Sequence, residues 1–327
     1  MRSEARRRAI AWIALAAALV SCSGESVVTT SEPSPAATTE ATTLAPSSVS
    51  ESVPTTSMLP ATPSGSIESV RLEAAGFERI YRLYVPPQHD AAEPAALVVD
   101  LHGFGSNPED QDRSSEMRRL ADVAGFVVAQ PAARGAIPTW NPQPGEDGAA
   151  ADVRFIRALV ADVGERVAID AGKVFAAGFS NGGGMVHRLA CDAADVFAAV
   201  GTVAGQYPLV EECDPVQPIA LMSFHGTNDL VVPIAGVSRV FPDVNAWVDR
   251  WARRNGCAPV PARRSIGDDV LVDTWAACDA GVEVVFHTIE DGGHAWPGTS
   301  GGSFFATTSE VSASQEMWAF FMKHARS

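Results

Sequence analysis

The chain has 327 residues, 46% of them apolar, and a formal net charge of −15. That length can bury a sizeable core, and an acidic chain repels phosphate backbones, which argues against a nucleic-acid partner. Beyond solubility the charge says nothing specific.

The first predicted element is a targeting segment. Arg2, Arg6, Arg7 and Arg8 precede the apolar run Ala9–Val20, and those twelve residues are too few to span a bilayer as a stable helix. Residues 1–21 therefore read as a signal peptide. The run ends in Leu19-Val20-Ser21-Cys22, which resembles the bacterial lipobox. It predicts cleavage before Cys22, lipidation of that residue, and a place on the extracellular face of the membrane or in the medium. The membrane contact would run through the lipid alone. Loss of residues 1–21, with four Arg and one Glu, takes the net charge to −18.

Residues 22–64 change to Ser, Thr, Pro and Ala, and from Ser23 onward contain no aromatic residue, Lys or Arg. Such a stretch buries too little apolar surface to offset the entropy of ordering, so it reads as a disordered tether. A flexible coil of this length spans roughly 35–40 Å. Residues 65–327 are one domain's worth of chain. They hold Cys191, Cys213, Cys257 and Cys278, with no C-x-x-C pair and no His at metal-ligand spacing, so no metal is expected. In an exported protein an even number of cysteines reads as two disulfides. Nearest-neighbour pairing, one of three possibilities, joins Cys191 to Cys213 and Cys257 to Cys278.

Strand and helix patterns then alternate. Strands are predicted at Arg79–Val85, Ala95–Leu101, Phe126–Ala129, Lys173–Ala177, Phe197–Val203, Ile219–Phe224 and Val282–Ile289. Helices are predicted at Ser114–Val123, Ala150–Val163, Gly183–Ala190, Val244–Arg253 and Ser312–His324. The rhythm defines an α/β fold, a mostly parallel sheet with helices on both faces. Ligands of such sheets bind at the carboxyl ends of the strands, so the loops after the strands are where chemistry is sought.

Three of those loops form a constellation. Gly178-Phe179-Ser180-Asn181-Gly182 is a G-x-S-x-G pattern between a strand and a helix, the context in which a serine is held on a strained turn above the sheet. The alternative use of Ser180 is as a helix N-cap. Asp229 closes His225-Gly226-Thr227-Asn228-Asp229 after the next strand but one, and His294 lies in Gly292-Gly293-His294-Ala295-Trp296-Pro297-Gly298 after the last strand. Serine, then acid, then histidine is the order of α/β-hydrolase triads. Among the other histidines, His287 falls in a strand, His187 in a helix, and His89 and His324 at expected exposed positions. His102 and His225 precede the acid. The turn His102-Gly103-Phe104-Gly105 has neither G-x-G-x-x-G nor G-K-[ST], so no nucleotide cofactor is expected. The backbone N–H groups of Phe104 and Asn181 are the candidate oxyanion hole.

Together the motifs carry a resemblance. Leu101-His-Gly-Phe-Gly, Asp152-Val-Arg-Phe-Ile-Arg-Ala-Leu-Val, Gly178-Phe-Ser-Asn-Gly-Gly-Gly-Met, His225-Gly-Thr-Asn-Asp, Asn255-Gly-Cys and Gly292-Gly-His-Ala-Trp-Pro-Gly resemble secreted polyhydroxybutyrate depolymerases and feruloyl esterases near carbohydrate esterase family one, including actinobacterial lipoproteins. The resemblance runs from about Ser66 to the carboxyl end. It implies an α/β-hydrolase core without a large lid, ester hydrolysis through an acyl-enzyme, and a triad of Ser180, Asp229 and His294. Where members often show G-G-M-M, this chain has Gly183-Gly184-Met185, and residues 140–150 match only loosely. The stretch His225–Pro233 also resembles prolyl-oligopeptidase-type peptidases, and a non-catalytic surface lipoprotein is a further rival. Hydroxybutyrate oligomers and feruloyl or acetyl polysaccharide esters are the candidate substrates. Trp140 and Trp296, in loops at the carboxyl edge, are expected to line the substrate site as exposed aromatic surfaces, the alternative being that either packs into the core or stiffens its loop.

Overall fold

The computed structural model describes residues 65–90, 92–143, 149–209, 212–299 and 305–327. These all fall in the unit Pro63–Ser327. The expected signal peptide, Cys22 and the expected tether lie outside the described residues.

In chain order the strands are β1 (Ser66–Ala74), β2 (Phe77–Val85), β3 (Ala95–Leu101), β4 (Val127–Pro131), β5 (Ile169–Phe179), β6 (Ala199–Val203), β7 (Ala220–Gly226), β8 (Ala262–Ile266), β9 (Val270–Trp275) and β10 (Val284–Ile289). The helices are α1 (Pro108–Ser115), α2 (Met117–Ala124), α3 (Ala149–Arg166), α4 (Asn181–Asp192), α5 (Val244–Arg254) and α6 (Ala313–Lys323). One sheet holds all ten strands in the order β1-β2-β4-β3-β5-β6-β7-β10-β9-β8. The stretch from β4 to β10 is parallel throughout, and an antiparallel hairpin extends it at each side.

The parallel strands are apolar on both faces because helices cover both. Leu97, Val99 and Leu101 of β3 join a core with Phe155 and Leu159 of α3, Met185 and Leu189 of α4, and Trp247 and Trp251 of α5. Ala96 and Val98, pointing the other way, join Met117 of α2 and Met317, Phe320 and Phe321 of α6. This is the side-chain alternation of a strand read against two helical layers.

Local chemistry fixes the element ends. Asn107 caps α1 by accepting from the N–H of Asp110 at 2.9 Å, with Pro108 in the first turn, and Asp243 caps α5 from Ala246 at 2.9 Å. The helix expected as one piece at Ser114–Val123 is two: Glu116 is left-handed (φ 52°), which ends α1 and starts α2 in a new direction. Sequence patterns also miss β1, β8 and β9, all in the flanking hairpins. The cysteines pair as nearest neighbours, Cys191 with Cys213 and Cys257 with Cys278, at sequence separations of 22 and 21.

Candidate active site

Ser180 joins β5 to α4. Its backbone (φ 53°, ψ −116°) is one that L-residues rarely adopt, and its side chain makes no capping hydrogen bond, so the N-cap role is not realised. The surroundings hold the strain. The Ser180 N–H donates to Val203 (2.9 Å), and its carbonyl accepts from Gly184 (3.0 Å) and Gln206 (2.9 Å). The two motif glycines explain why the turn can be so tight. A Cβ at Gly182 would sit 2.3 Å from the carbonyl oxygen of Leu101, and one at Gly178 would sit 2.6 Å from that of Gly182. Strand β5, helix α4 and the end of β3 meet there with no room for a side chain.

The acid and the imidazole arrive on the loops after β7 and β10. Asp229 is buried, and its Oδ1 accepts from the backbone N–H groups of Val231 (2.9 Å) and Val232 (2.8 Å). Its Oδ2 faces Nδ1 of His294 at 2.7 Å. A carboxylate only accepts, so Nδ1 carries the hydrogen and Nε2 is left as the basic nitrogen. Burial pushes the Asp229 carboxyl up. The hydrogen bond and charge of His294, the Val232 N–H and the His225 ring more than reverse this, and the group titrates below its ordinary range. The two loops are tied to each other: Asn228 N–H donates to the Gly292 carbonyl (2.8 Å) and Asp291 N–H to Thr227 Oγ1 (2.8 Å). The His294 ring packs 4.8 Å from that of Phe179, the residue before Ser180, and stands perpendicular to the half-exposed Phe305 at 6.3 Å. Ser180 and His294 are each 8% exposed, so both are largely buried but keep some surface open to solvent.

The turn after β3 lies alongside. Gly105 N–H donates to the carbonyl of Pro138 (2.8 Å), while the N–H groups of Phe104 and Asn181 have no backbone acceptor among the described residues. Asn181 opens α4, where the first N–H groups lack helical partners and attract negative charge.

Trp140 and Trp296 are not exposed walls: they are 1% and 2% exposed. Trp140 pairs its backbone with the Asn181 side chain, donating to Oδ1 at 2.8 Å and accepting from Nδ2 at 3.1 Å, and its indole N–H donates to the His102 carbonyl (2.9 Å). It thus clamps the residue after Ser180 to the residue before the β3 turn. Trp296 turns inward, its indole N–H on Ser314 Oγ (3.0 Å). An aromatic ring has ample area to bury, and a single N–H is easily satisfied inside. The exposed apolar side chains near these loops are instead Ile137, Leu230 and Phe305, which sequence patterns did not single out.

The other histidines are structural neighbours. His102 donates through Nδ1 to the Gly103 carbonyl (2.7 Å) and accepts at Nε2 from Ala133 N–H (3.0 Å), an arrangement that only the neutral ring makes. Burial lowers its pKa, as it does for His225, and takes His287 to about 3. His225 Nε2 lies on the Val232 carbonyl (2.7 Å) and 3.5 Å from Asp229 Oδ2. His324, expected exposed, has a side chain only 7% exposed beside Glu283, and His89 is half-buried. The fold also corrects the reading that no His stands at ligand spacing. His187, one turn before Cys191, comes within 4.8 Å of both sulfurs of the Cys191–Cys213 pair. Those sulfurs form the disulfide, which leaves a single imidazole to offer.

A serine poised on such a turn, above a parallel sheet flanked by helices, places this fold among the α/β-hydrolases. Its sequence relatives narrow the class. Residues 79–247 match the family model described as esterase PHB depolymerase. NocK of Nocardia uniformis subsp. tsuyamanensis, which is named as an esterase, is 34% identical over 252 residues, 68% of this chain and 72% of that protein. Feruloyl esterase C of Emericella nidulans is 32% identical over 256 residues, 75% and 84% of the two chains. Among solved structures, an acetyl xylan esterase from Aspergillus awamori superposes with a TM-score of 0.59 at 16% identity, covering 79% of this chain and 99% of that one, a likeness of fold. The chain belongs to the esterase PHB depolymerase family and is a carboxylic ester hydrolase.

Proposed function

We propose that this esterase works through Ser180, His294 and Asp229, exported and held at the cell surface by a lipid on Cys22. The 2.7 Å contact between His294 Nδ1 and Asp229 Oδ2, beside a serine on a left-handed turn, carries the reading. As Ser180 Oγ attacks the ester carbonyl carbon, His294 Nε2 takes the hydroxyl proton. Asp229 holds the ring in the tautomer this needs and stabilises the imidazolium. The N–H groups of Phe104 and Asn181 receive the negative oxygen. Collapse breaks the bond to the leaving oxygen, which takes the proton from His294. A water molecule then repeats the sequence on the acyl-enzyme, releasing acid and free Ser180. The substrates are feruloyl or acetyl esters of polysaccharide, or hydroxybutyrate oligomers. The relatives' names and the exposed Phe305 beside His294 support an ester with an apolar or aromatic part. The two disulfides fit an oxidising compartment.

Ser180→Ala tests the triad directly. Hydrolysis of p-nitrophenyl acetate should fall by about four orders of magnitude or more with the circular-dichroism melt unchanged. Turnover near wild type in that variant would remove Ser180 from the mechanism.

A further inference from the structure

The loop that carries His294 also carries a buried indole with no task in the chemistry above. The Trp296 N–H donates to Ser314 Oγ (3.0 Å), and Ser314, in the first turn of α6, donates its hydroxyl to the backbone carbonyl of Ser115. That carbonyl lies where left-handed Glu116 interrupts the helix, so it stands at a helix end, lacking the partner an unbroken helix supplies. The Ser115 hydroxyl donates in turn to Asp100 Oδ2 (2.7 Å) on β3, four residues before Phe104. Gln111 (2.7 Å) and Gln130 (3.1 Å) complete the Asp100 carboxyl, and every side chain along this path is buried. Ala313 N–H donates to the Pro297 carbonyl (3.0 Å), a second tie between the same loop and the same helix.

We propose that Trp296, Ser314, Ser115 and Asp100 form a hydrogen-bonded strut that fixes the height of the His294 loop above the end of β3, making Trp296 and Ser314 positioning residues for the base. The inference rests on the triad reading. The physical need is plain. His294 lies five residues beyond the end of β10, on a stretch rich in glycine. Backbone hydrogen bonds from Asn228 to Gly292 and from Gly293 to Ala306 (2.8 Å each) secure the loop before His294, and the strut secures it beyond His294. A general base has to meet its proton within a few tenths of an ångström, and a buried chain of directional bonds supplies that register. The strut ends on the strand that leads into the oxyanion turn, so base and oxyanion donors share one reference point.

Trp296→Phe deletes the N–H and keeps most of the ring, and Ser314→Ala deletes the middle link. With p-nitrophenyl acetate, and protein counted by its folded fraction, each should lose about tenfold in kcat, with KM within roughly twofold of wild type. The double variant should be no slower than either single one, because both break the same path. Ser314→Thr, which keeps a hydroxyl, should return kcat to within about threefold of wild type. Unchanged kcat per folded molecule in both single variants, with only a lowered Tm, would overturn the strut and leave these residues as core packing. So would losses that simply add. Ser180→Ala in the same assay reports separately on the triad. If that variant is silent, unchanged single variants count against the strut alone, and if it is active, both readings fall.

Discussion

Two buried carboxyls show how surroundings, not burial alone, set a charge. Asp229 has an imidazole and two backbone N–H groups, and it titrates low. Asp100 has three donors as well, but they belong to neutral Gln111, Ser115 and Gln130, so desolvation wins and its pKa rises to about 7 from an ordinary 3.8. The folded protein thus holds a proton that the unfolded chain releases, and stability from this group is present below pH 3.8 and lost as pH rises to about 7. The loss amounts to about 4 kcal/mol. Buried neutral His102, His187, His225 and His287 pull the other way in acid, since the unfolded chain binds their protons more tightly. Comparison with Asp100→Asn isolates the carboxyl. Urea denaturation at pH 5 and pH 8 should show the variant gaining on wild type by a few kcal/mol as pH rises. A constant difference between the two proteins would assign the titration elsewhere. At this scale the sequence was partly legible. Ser180, Asp229 and His294 stand in motifs whose spacing and order carry information, and the structure puts His294 on Asp229. Asp100 sits in an apolar run as one more strand residue, and its donors come from two other elements. Trp140 and Trp296 misled because a ring in a loop after a strand gives no sign that the loop folds back over it.

At the scale of elements, the parallel centre was readable and its flanks were not. Strands such as Ala95–Leu101 and Ala220–Gly226 are buried along their whole length, and a continuous apolar run announces them. The outer strands face water. β8, Ala-Arg-Arg-Ser-Ile, is almost wholly exposed and charged, as suits the last strand of a sheet that must not recruit another chain. Bidentate Arg263–Asp273 contacts (2.7 Å each) hold it to β9. The Cys257–Cys278 disulfide links the end of α5 to the end of β9, on either side of this hairpin. Cys257→Ser with Cys278→Ser should therefore lower stability by about 3 kcal/mol, by loop-entropy reasoning. Because the bond lies away from the Ser180 turn, kcat of the folded fraction should stay within roughly twofold of wild type. A urea midpoint equal to that of wild type would show that packing alone secures the hairpin.

At the scale of the whole molecule, the layer order followed from the alternation of strand and helix, and the place of the candidate site from the rule that loops after parallel strands carry function. Residues 1–64 remain a proposal from composition. Cys22→Ser should move the protein from the detergent phase to the aqueous phase when it is expressed in a bacterium that processes lipoproteins, without change in kcat. Wild type recovered in the medium with a free Cys22 thiol would refute the anchor. The sheet order has a consequence for the chain while it is still being made. β10 enters between β7 and β9, and it leads into the loop whose His294 meets Asp229, 65 residues earlier. Until β10 arrives, β7, buried along its whole length in the finished fold, has an open edge, and β9 has a partner on one side only. On the proposed triad, a nascent chain at that stage would already contain Ser180 and Asp229 but lack His294, so it would be inert while it exposes an unpaired strand edge to other copies of itself. β10, the last strand in the sequence, is thus the one that closes this open edge and, on the proposed triad, completes the enzyme.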